Sequence, residues 1–477
     1  MRYIQGEDRE QFTLFPETMD EYITENNPIR FIDAFVKNLD MRNLGFKYST
    51  TKDTGRKPYN PQDLLKLYIY GYLNKIRSSR QLEKATHKNI ELIWLLQKLQ
   101  PDFKTIADFR KDNTKPIKKV CREFTLLCKH LDLFGCELIA IDGSKFSASN
   151  SNGKNYTRNK LERLHKKVDQ QIDDFLKQMD RGDKTESSIS DVSTEELNQK
   201  IEKLKERKDK YEKLQSEIEQ SGQGQISLTD PDSRMMKTQK GKDVAYNVQI
   251  STDSKHKLIV THDVTNEIND MKLLHPMASE SKEILETEEL EAVADAGYFE
   301  RENIKSCHDD GIKTYVPAPT RSHNKSLGIY TIDDFIHNPQ EDTYECPAGQ
   351  ILTFRGYRKR KASGQVEKKY TTHACYTCGQ KLKCTRTKTT RYIYRWEHEE
   401  VMEQLYQRME ERPEIIKKRK ALVEHPFGTI KHAMEHRYFL TRGFDGVSGE
   451  MSLSVLCYNL KRVLNIMNFK ELMVAVQ

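Results

Sequence analysis

No apolar run in these 477 residues approaches the ~20 needed to cross a bilayer. The opening residues, Met1 to Asp8, also lack the apolar core of a secretory signal. Together these absences exclude a membrane-spanning helix and set the expectation of a cytoplasmic protein. Apolar residues are not plentiful either: they make up 36%, against 32% charged, with a mean hydropathy of −0.80. The length still suffices for two or three domains with substantial cores.

A strong excess of one charge sign is missing as well. The formal net charge is +7, which spread evenly argues only weakly for a polyanionic partner. It is not spread evenly, because acids nearly vanish between Ile351 and Arg391. That stretch holds twelve Lys/Arg, Arg358, Lys359, Arg360 and Lys361 among them, and the single acid Glu367; it carries +11, so the rest of the chain sums to −4. Such a block points to phosphate contacts, with a solvated loop as the plain alternative.

Of the nine cysteines, Cys121, Cys128, Cys136, Cys307 and Cys457 lie singly and read as buried thiols. Cys346, Cys375, Cys378 and Cys384 form a group. A CxxC pair with two further thiols is enough for a closed, structural zinc site; unmetallated thiols and a redox dithiol are the rival readings.

Along the chain, residues 1–135 read as helical. Asn27-Pro28 and Asn60-Pro61 are cap-then-proline starts, each followed by an apolar stripe. Further helices are expected from Ser78 or Ser79 and from Thr105, and Lys57, Arg77, Arg80 and Arg110 punctuate the joints. Between about 155 and 224, Leu161, Leu164, Val168, Ile172, Phe175 and Met179, then Leu197, Ile201, Leu204, Tyr211 and Ile218, recur at helical spacing. That pattern predicts an antiparallel helical hairpin inserted in a sheet. A strand hairpin is expected over Val244–Ile250 and Lys257–Thr265, and a helix from Leu273 to Leu285.

Three acids stand out. Cys136-Glu-Leu-Ile-Ala-Ile-Asp142-Gly reads as a buried strand ending in an acid and a turn glycine, and Leu290-Glu-Ala-Val-Ala-Asp295-Ala-Gly-Tyr reads the same way. Functional side chains in open α/β sheets gather beyond the carboxyl ends of strands. Glu424 lies between the cationic run Lys417–Lys420 and Lys431, the surroundings of a carboxylate that holds a metal while cations hold phosphates. Pro426 follows it closely, and a proline begins a helix or breaks one. Asp230, Asp232, Asp263 and Asp270 are competing carboxylates near the same strands.

The motifs Ala-Ile-Asp142-Gly, Ala-Asp295-Ala-Gly-Tyr and Val-Glu424-His-Pro-Phe-Gly-Thr-Ile-Lys431 closely resemble the three acidic motifs of bacterial insertion-sequence transposases of the DDE class. A Glu, six residues and a Lys match the tail of a Tyr/Arg/Glu/Lys signature in one branch of that superfamily. The match departs at two places: the arginine position holds Lys420, with Arg419 beside it, and the tyrosine position holds Lys417.

The resemblance implies an α/β fold with an RNase H-like mixed sheet over 136–477. That sheet would carry the helical-hairpin insertion and a basic four-cysteine insertion at about 300–400, behind an all-α N-terminal domain, 1–135, that contacts DNA. It also implies two magnesium or manganese ions on Asp142, Asp295 and Glu424, and DNA contacts from Arg419, Lys420 and Lys431. The implied partners are double-stranded DNA, as element terminal repeats and as target, and at least one further copy of the chain, associated with the nucleoid when DNA is bound. The expected function is strand cleavage and transfer. A catalytically inactive, transposase-derived DNA-binding protein is the alternative, and a zinc- and coiled-coil-based scaffold is a third reading.

Overall fold

The computed structural model describes residues 18–50, 57–184, 194–238, 241–319, 327–360 and 364–476. Among them the fold is mixed α/β. The N-terminal region is helical: α1 (Pro28–Lys37), α2 (Met41–Leu44), α3 (Pro61–Leu73), α4 (Ser79–Thr86), α5 (Ile90–Leu95), α6 (Phe103–Asp112) and α7 (Thr114–His130). Asn27 and Asn60 cap α1 and α3 as the sequence predicts, each accepting from the N–H two residues on, with proline at the first helical position. Helix α6 starts before Thr105 because Asp102 caps it, accepting from Lys104 N and Thr105 N.

Then come β1 (Leu138–Ser147), β2 (Asn155–Thr157), α8 (Arg158–Lys184), α9 (Thr194–Ser221), β3 (Gln225–Ser227), β4 (Arg234–Thr238), β5 (Gly241–Asp253) and β6 (Ile259–Thr265). They are followed by α10 (Leu274–Leu285), β7 (Leu290–Val293), α11 (Arg301–Asp309), β8 (Ile312–Tyr315), β9 (Ile336–Asn338), β10 (Thr343–Glu345), β11 (Ile351–Lys359) and β12 (Val366–Thr371). The chain closes with α12 (Lys381–Cys384), β13 (Ile393–Trp396), α13 (Glu399–Glu411), α14 (Glu414–Gly428), α15 (Gly443–Ile466) and α16 (Phe469–Ala475).

These elements form two compact units. The first takes the chain up to Gly135, Gly143–Ile268 and everything from Val423; the second takes Cys136–Asp142 and Asn269–Leu422. Both β1 and α14 pass from one to the other.

The first unit is built around α15. From Met451 to Leu460 every residue of this helix is buried, so it has no polar stripe to mark it as a surface helix. It packs on α3, α7 and β6. Its polar side chains are individually satisfied: Asn459 bonds both the N–H and the carbonyl of Ile259, and Ser452 meets His262. Asp230 and Asp232 cap its start, accepting from Gly443 N and Phe444 N. That assigns a structural task to two of the rival carboxylates. Asp263 lies exposed within β6, opposite Gln249, rather than at a strand end.

Two of the basic residues at the helix joints are buried here. Arg77 is 6% exposed and sits beside the fully buried Glu450, while Arg110 is 7% exposed and donates to Tyr72 Oη. Both hold the core together and neither is available to a phosphate. The helical hairpin α8–α9 is present: Leu161 packs on Leu214 and Ile218, and antiparallel β2 and β3 close its base. It interrupts the chain between β1 and β4, as its position in the sequence predicts.

In the second unit β1, β7 and β8 run parallel. Helix α11 packs on α10 and β8, and α13 packs on α11 and β8. Arg301–Glu399 at 3.0 Å and Arg412–Glu291 at 2.6 Å tie these elements together. A separate antiparallel sheet, in the order β13-β12-β11-β10-β9, packs around Phe335, Tyr344, Leu352, Tyr370 and Ile393.

Candidate active site

The apolar runs Leu138–Ile141 and Leu290–Ala294 form neighbouring strands because each is buried almost throughout. Their register pairs Leu138 with Glu291, Ile139 with Ala292 and Ala140 with Val293. Ala294 N still donates to Tyr315 O, and Asp295 keeps extended backbone angles. Asp142 and Asp295 each follow the last couple of this pairing, Ala140 and Val293, by two residues.

Each aspartate is held differently. Asp295 caps a short 3₁₀ turn, its Oδ1 accepting from Gly297 N at 2.8 Å. A Cβ at Gly297 would stand 2.9 Å from that oxygen, so glycine here leaves room for this orientation of the carboxylate. Asp142 Oδ2 lies 3.6 Å from Arg419 Nη1, with the side chains 23% and 19% exposed. Of the neighbouring cations Arg419 and Lys420, Arg419 lies beside Asp142, and Lys420 is exposed.

The expected turn after Asp142 does not form. Strand β1 runs through Gly143 to Ser147 because its continuation is gripped within the first unit. Ser147 N donates to Arg437 O, Phe439 N donates to Ser147 O, and Phe146 is fully buried beside Phe427, His436 and Phe439. Lys431 belongs to this grip: its Nζ donates to Ser144 Oγ at 2.6 Å and to Lys145 O at 2.9 Å, 4.5 Å over the Phe146 ring.

Glu424 is exposed on α14, five residues after Arg419. That helix continues through Pro426, which has no N–H to donate to it, and then widens into a π turn over Thr429–Ala433 that carries Lys431. Among the described residues, no three His, Cys, Asp or Glu side chains form a group able to hold a metal ion in this conformation.

The four grouped cysteines line one pocket of the second unit. Cys346 opens a tight turn in which Gly349 N donates to its carbonyl and Gln350 N points at its Sγ at 3.4 Å. Burial pushes the Cys384 thiol up; Arg391 opposes this, and Cys375, Cys346 and Cys378 add to it.

The basic block includes two strands, β11 and β12. Arg358 and Lys359 lie on β11 and Arg360 follows it, all exposed, with Arg358 and Arg360 at 3.6 and 3.9 Å from the buried Glu367. Lys361 lies outside the described residues. No described helix is long and apolar enough to cross a membrane.

Comparison with known proteins adds three findings. The sequence model of the family described as Transposase domain (DUF772) matches residues 17–112, and that described as Transposase DDE domain matches residues 345–464. The second stretch holds the four cysteines, the basic block, Glu424 and Lys431, and lies wholly after Asp142 and Asp295. No curated protein matches the chain in sequence. A cryo-EM structure of a piggyBac transposase synaptic complex with hairpin DNA is similar at a TM-score of 0.33 and 9% identity, over 94% of this chain and 79% of that one. A transposase domain in its first quarter and a DDE transposase domain towards its end support a DDE-type transposase.

Proposed function

We propose that this transposase binds the ends of its own insertion sequence as double-stranded DNA and cleaves and joins strands by metal-dependent phosphoryl transfer, with Asp142, Asp295 and Glu424 as the catalytic acids. The observation that supports the proposal is the register of parallel β1 and β7, which pairs Ala140 with Val293 two residues before Asp142 and Asp295. Parallel β1, β7 and β8 with antiparallel β4, β5 and β6 support an RNase H-like catalytic domain over 136–477. Residues 1–135 are then its helical companion.

Two carboxylates that share a site repel unless a cation lies between or beside them. Arg419 already stands beside Asp142, so the surroundings favour positive charge, and hard carboxylate oxygens are the ligands that magnesium or manganese takes. Asp142, Asp295 and Glu424 would hold the ions. Bound there, they supply an activated attacking oxygen and charge stabilisation on the leaving one. The chain's own residues do the rest. Arg419 compensates Asp142, Gly297 N fixes the rotamer of Asp295, and Lys431 fastens the strand that follows Asp142. Lys420, Arg419 and the cations of the basic block hold phosphates, and synapsis of two ends calls for at least two copies of the chain.

Cys346, Cys375, Cys378 and Cys384 are the ligands this reading gives to a structural zinc: they line one pocket, and Gln350 N points at Cys346 Sγ, but in this conformation they do not form a metal-holding group. Four such ligands leave no open position, so this ion would hold the fold and take no part in the reaction.

The test uses labelled duplex DNA carrying the sequences that flank the coding region. Wild-type protein with magnesium should cut it, and chelator should stop the cut. Asp142→Asn, Asp295→Asn and Glu424→Gln should each lose roughly a thousandfold in rate, the scale of several kcal/mol of charge stabilisation, while binding the same duplex. Wild-type rates in all three variants would overturn the assignment; a wild-type rate in Glu424→Gln alone would move the third role to another acid.

A further inference from the structure

One face of the β11–β13 sheet alternates cations and rings. The register sets Arg358 against Glu367, Glu367 against Trp396, and Lys369 against Tyr394, and the period of two puts Tyr392 on that same face. Trp396 and Glu367 are buried at one end, and from there the face opens to solvent, with Arg358 44% and Tyr392 36% exposed. Arg358 lies 4.2 Å over the Tyr394 ring, Lys369 Nζ lies 4.0 Å over Tyr392, and the two ring centroids are 6.4 Å apart. Glu367, the one acid of the segment, is 3.6 Å from Arg358 Nε and aims the guanidinium.

Cations alone would serve a duplex, whose phosphates are outside and whose bases are stacked within. The rings add nothing there. Rings displayed on a sheet among cations stack on bases that have left the helix, and a guanidinium plane over a ring extends the same stack. The +11 surroundings select a polyanion over a protein partner.

We propose that this face binds single-stranded DNA, the strand left unpaired when an element end is opened. Its bases stack on Tyr392, Tyr394 and the outer side of Arg358, and its phosphates meet Lys369 and Arg360. The inference rests on reading the chain as an enzyme that acts on DNA, and it names a substrate form that the strand-end acids do not.

The experiment measures binding of the full-length protein to a short oligothymidylate carrying one 2-aminopurine, and to a duplex of mixed sequence. Wild-type protein should bind the single strand and quench the probe. Tyr392→Leu/Tyr394→Leu, which keeps bulk and strand preference, should weaken single-strand binding by roughly tenfold per base stack lost. It should also abolish the quench and leave duplex affinity in place; Tyr392→Trp/Tyr394→Trp should restore both single-strand signals. Unchanged single-strand affinity in the Leu variant, with duplex binding intact, overturns the platform and leaves the DNA reading standing. Equal weakening on both DNA forms also overturns it, as a duplex contact. A wild-type protein that binds neither form removes the DNA reading itself, and the platform with it.

Discussion

Asp142 and Asp295 each stand two residues past Ala140 and Val293, the last couple in the parallel pairing of β1 with β7. A carboxylate pair that shares a site is a poor arrangement for stability and a good one for holding a cation.

Gly297 makes the pair testable without touching a carboxylate. In Gly297→Ala the new Cβ would meet Asp295 Oδ1 at 2.9 Å, and the carboxylate has to turn away from Gly297 N. Positional errors near 1 Å cost on the order of a hundredfold in rate. Single-turnover cleavage should fall by about that factor while the melting temperature barely moves, because the residue is exposed. A variant that cleaves at the wild-type rate would show that the Asp295 rotamer does not matter.

The buried strands that carry Asp142 and precede Asp295 were legible in the sequence because short apolar runs such as Leu138–Ile141 announce such strands by themselves. The hairpin α8–α9 was legible for the corresponding reason, a helical apolar stripe. What lay beyond reach depends on distant partners. Nothing near Gly143 tells that Phe146 is buried by Phe427 and Phe439, so the strand seemed to end at the acid. Nothing near Arg77 reveals Glu450, so the burial of this joint cation could not be read from the sequence. Helix α15 has too little amphipathic pattern to declare itself central, and its caps, Asp230 and Asp232, come from some 200 residues earlier.

The basic block predicts a particular salt dependence. Each phosphate contact removed from a B-form duplex should flatten the slope of log affinity against log salt by about 0.9. Replacing Arg358, Lys359 and Arg360 together by Gln should therefore flatten it by up to three such steps. Discrimination between element ends and random DNA should change less, because phosphate contacts position a duplex without reading it. A filter-binding series from low to moderate salt decides this, and an unchanged slope would make the block a solvated surface.

The cysteine pocket predicts one zinc per chain. Metal analysis of protein purified without added zinc should find it, and Cys384→Ser should lose it together with the protection of the other three thiols from alkylation. Since a closed site stabilises by binding only the folded state, chelator should lower the unfolding midpoint without requiring DNA. Freely alkylated thiols in native, zinc-free protein would remove the site.

Two buried histidines set how the first unit responds to acid. His262, against Ser452 in the core, is held down at about 3 by burial first and Lys118 second. His436, bonded to Ser454, is held well below 6.5 by burial and then by Arg77, Arg110 and Lys431. Glu450 stands 3.8 Å from its Nε2, but that carboxylate accepts from Leu440 N, Thr441 N and Thr441 Oγ1. Both folded-state values lie below the unfolded one, so the stability these histidines contribute is complete above about pH 6.5 and is lost as pH falls below it. The loss is about 1.4 kcal/mol per pH unit for each histidine. Urea midpoints taken at pH 7.5 and 5.5 should therefore drop more in wild-type protein than in His262→Asn/His436→Asn. Carboxylates contribute equally to both proteins and cancel in the comparison. Identical drops would mean that neither imidazole is kept neutral by the fold.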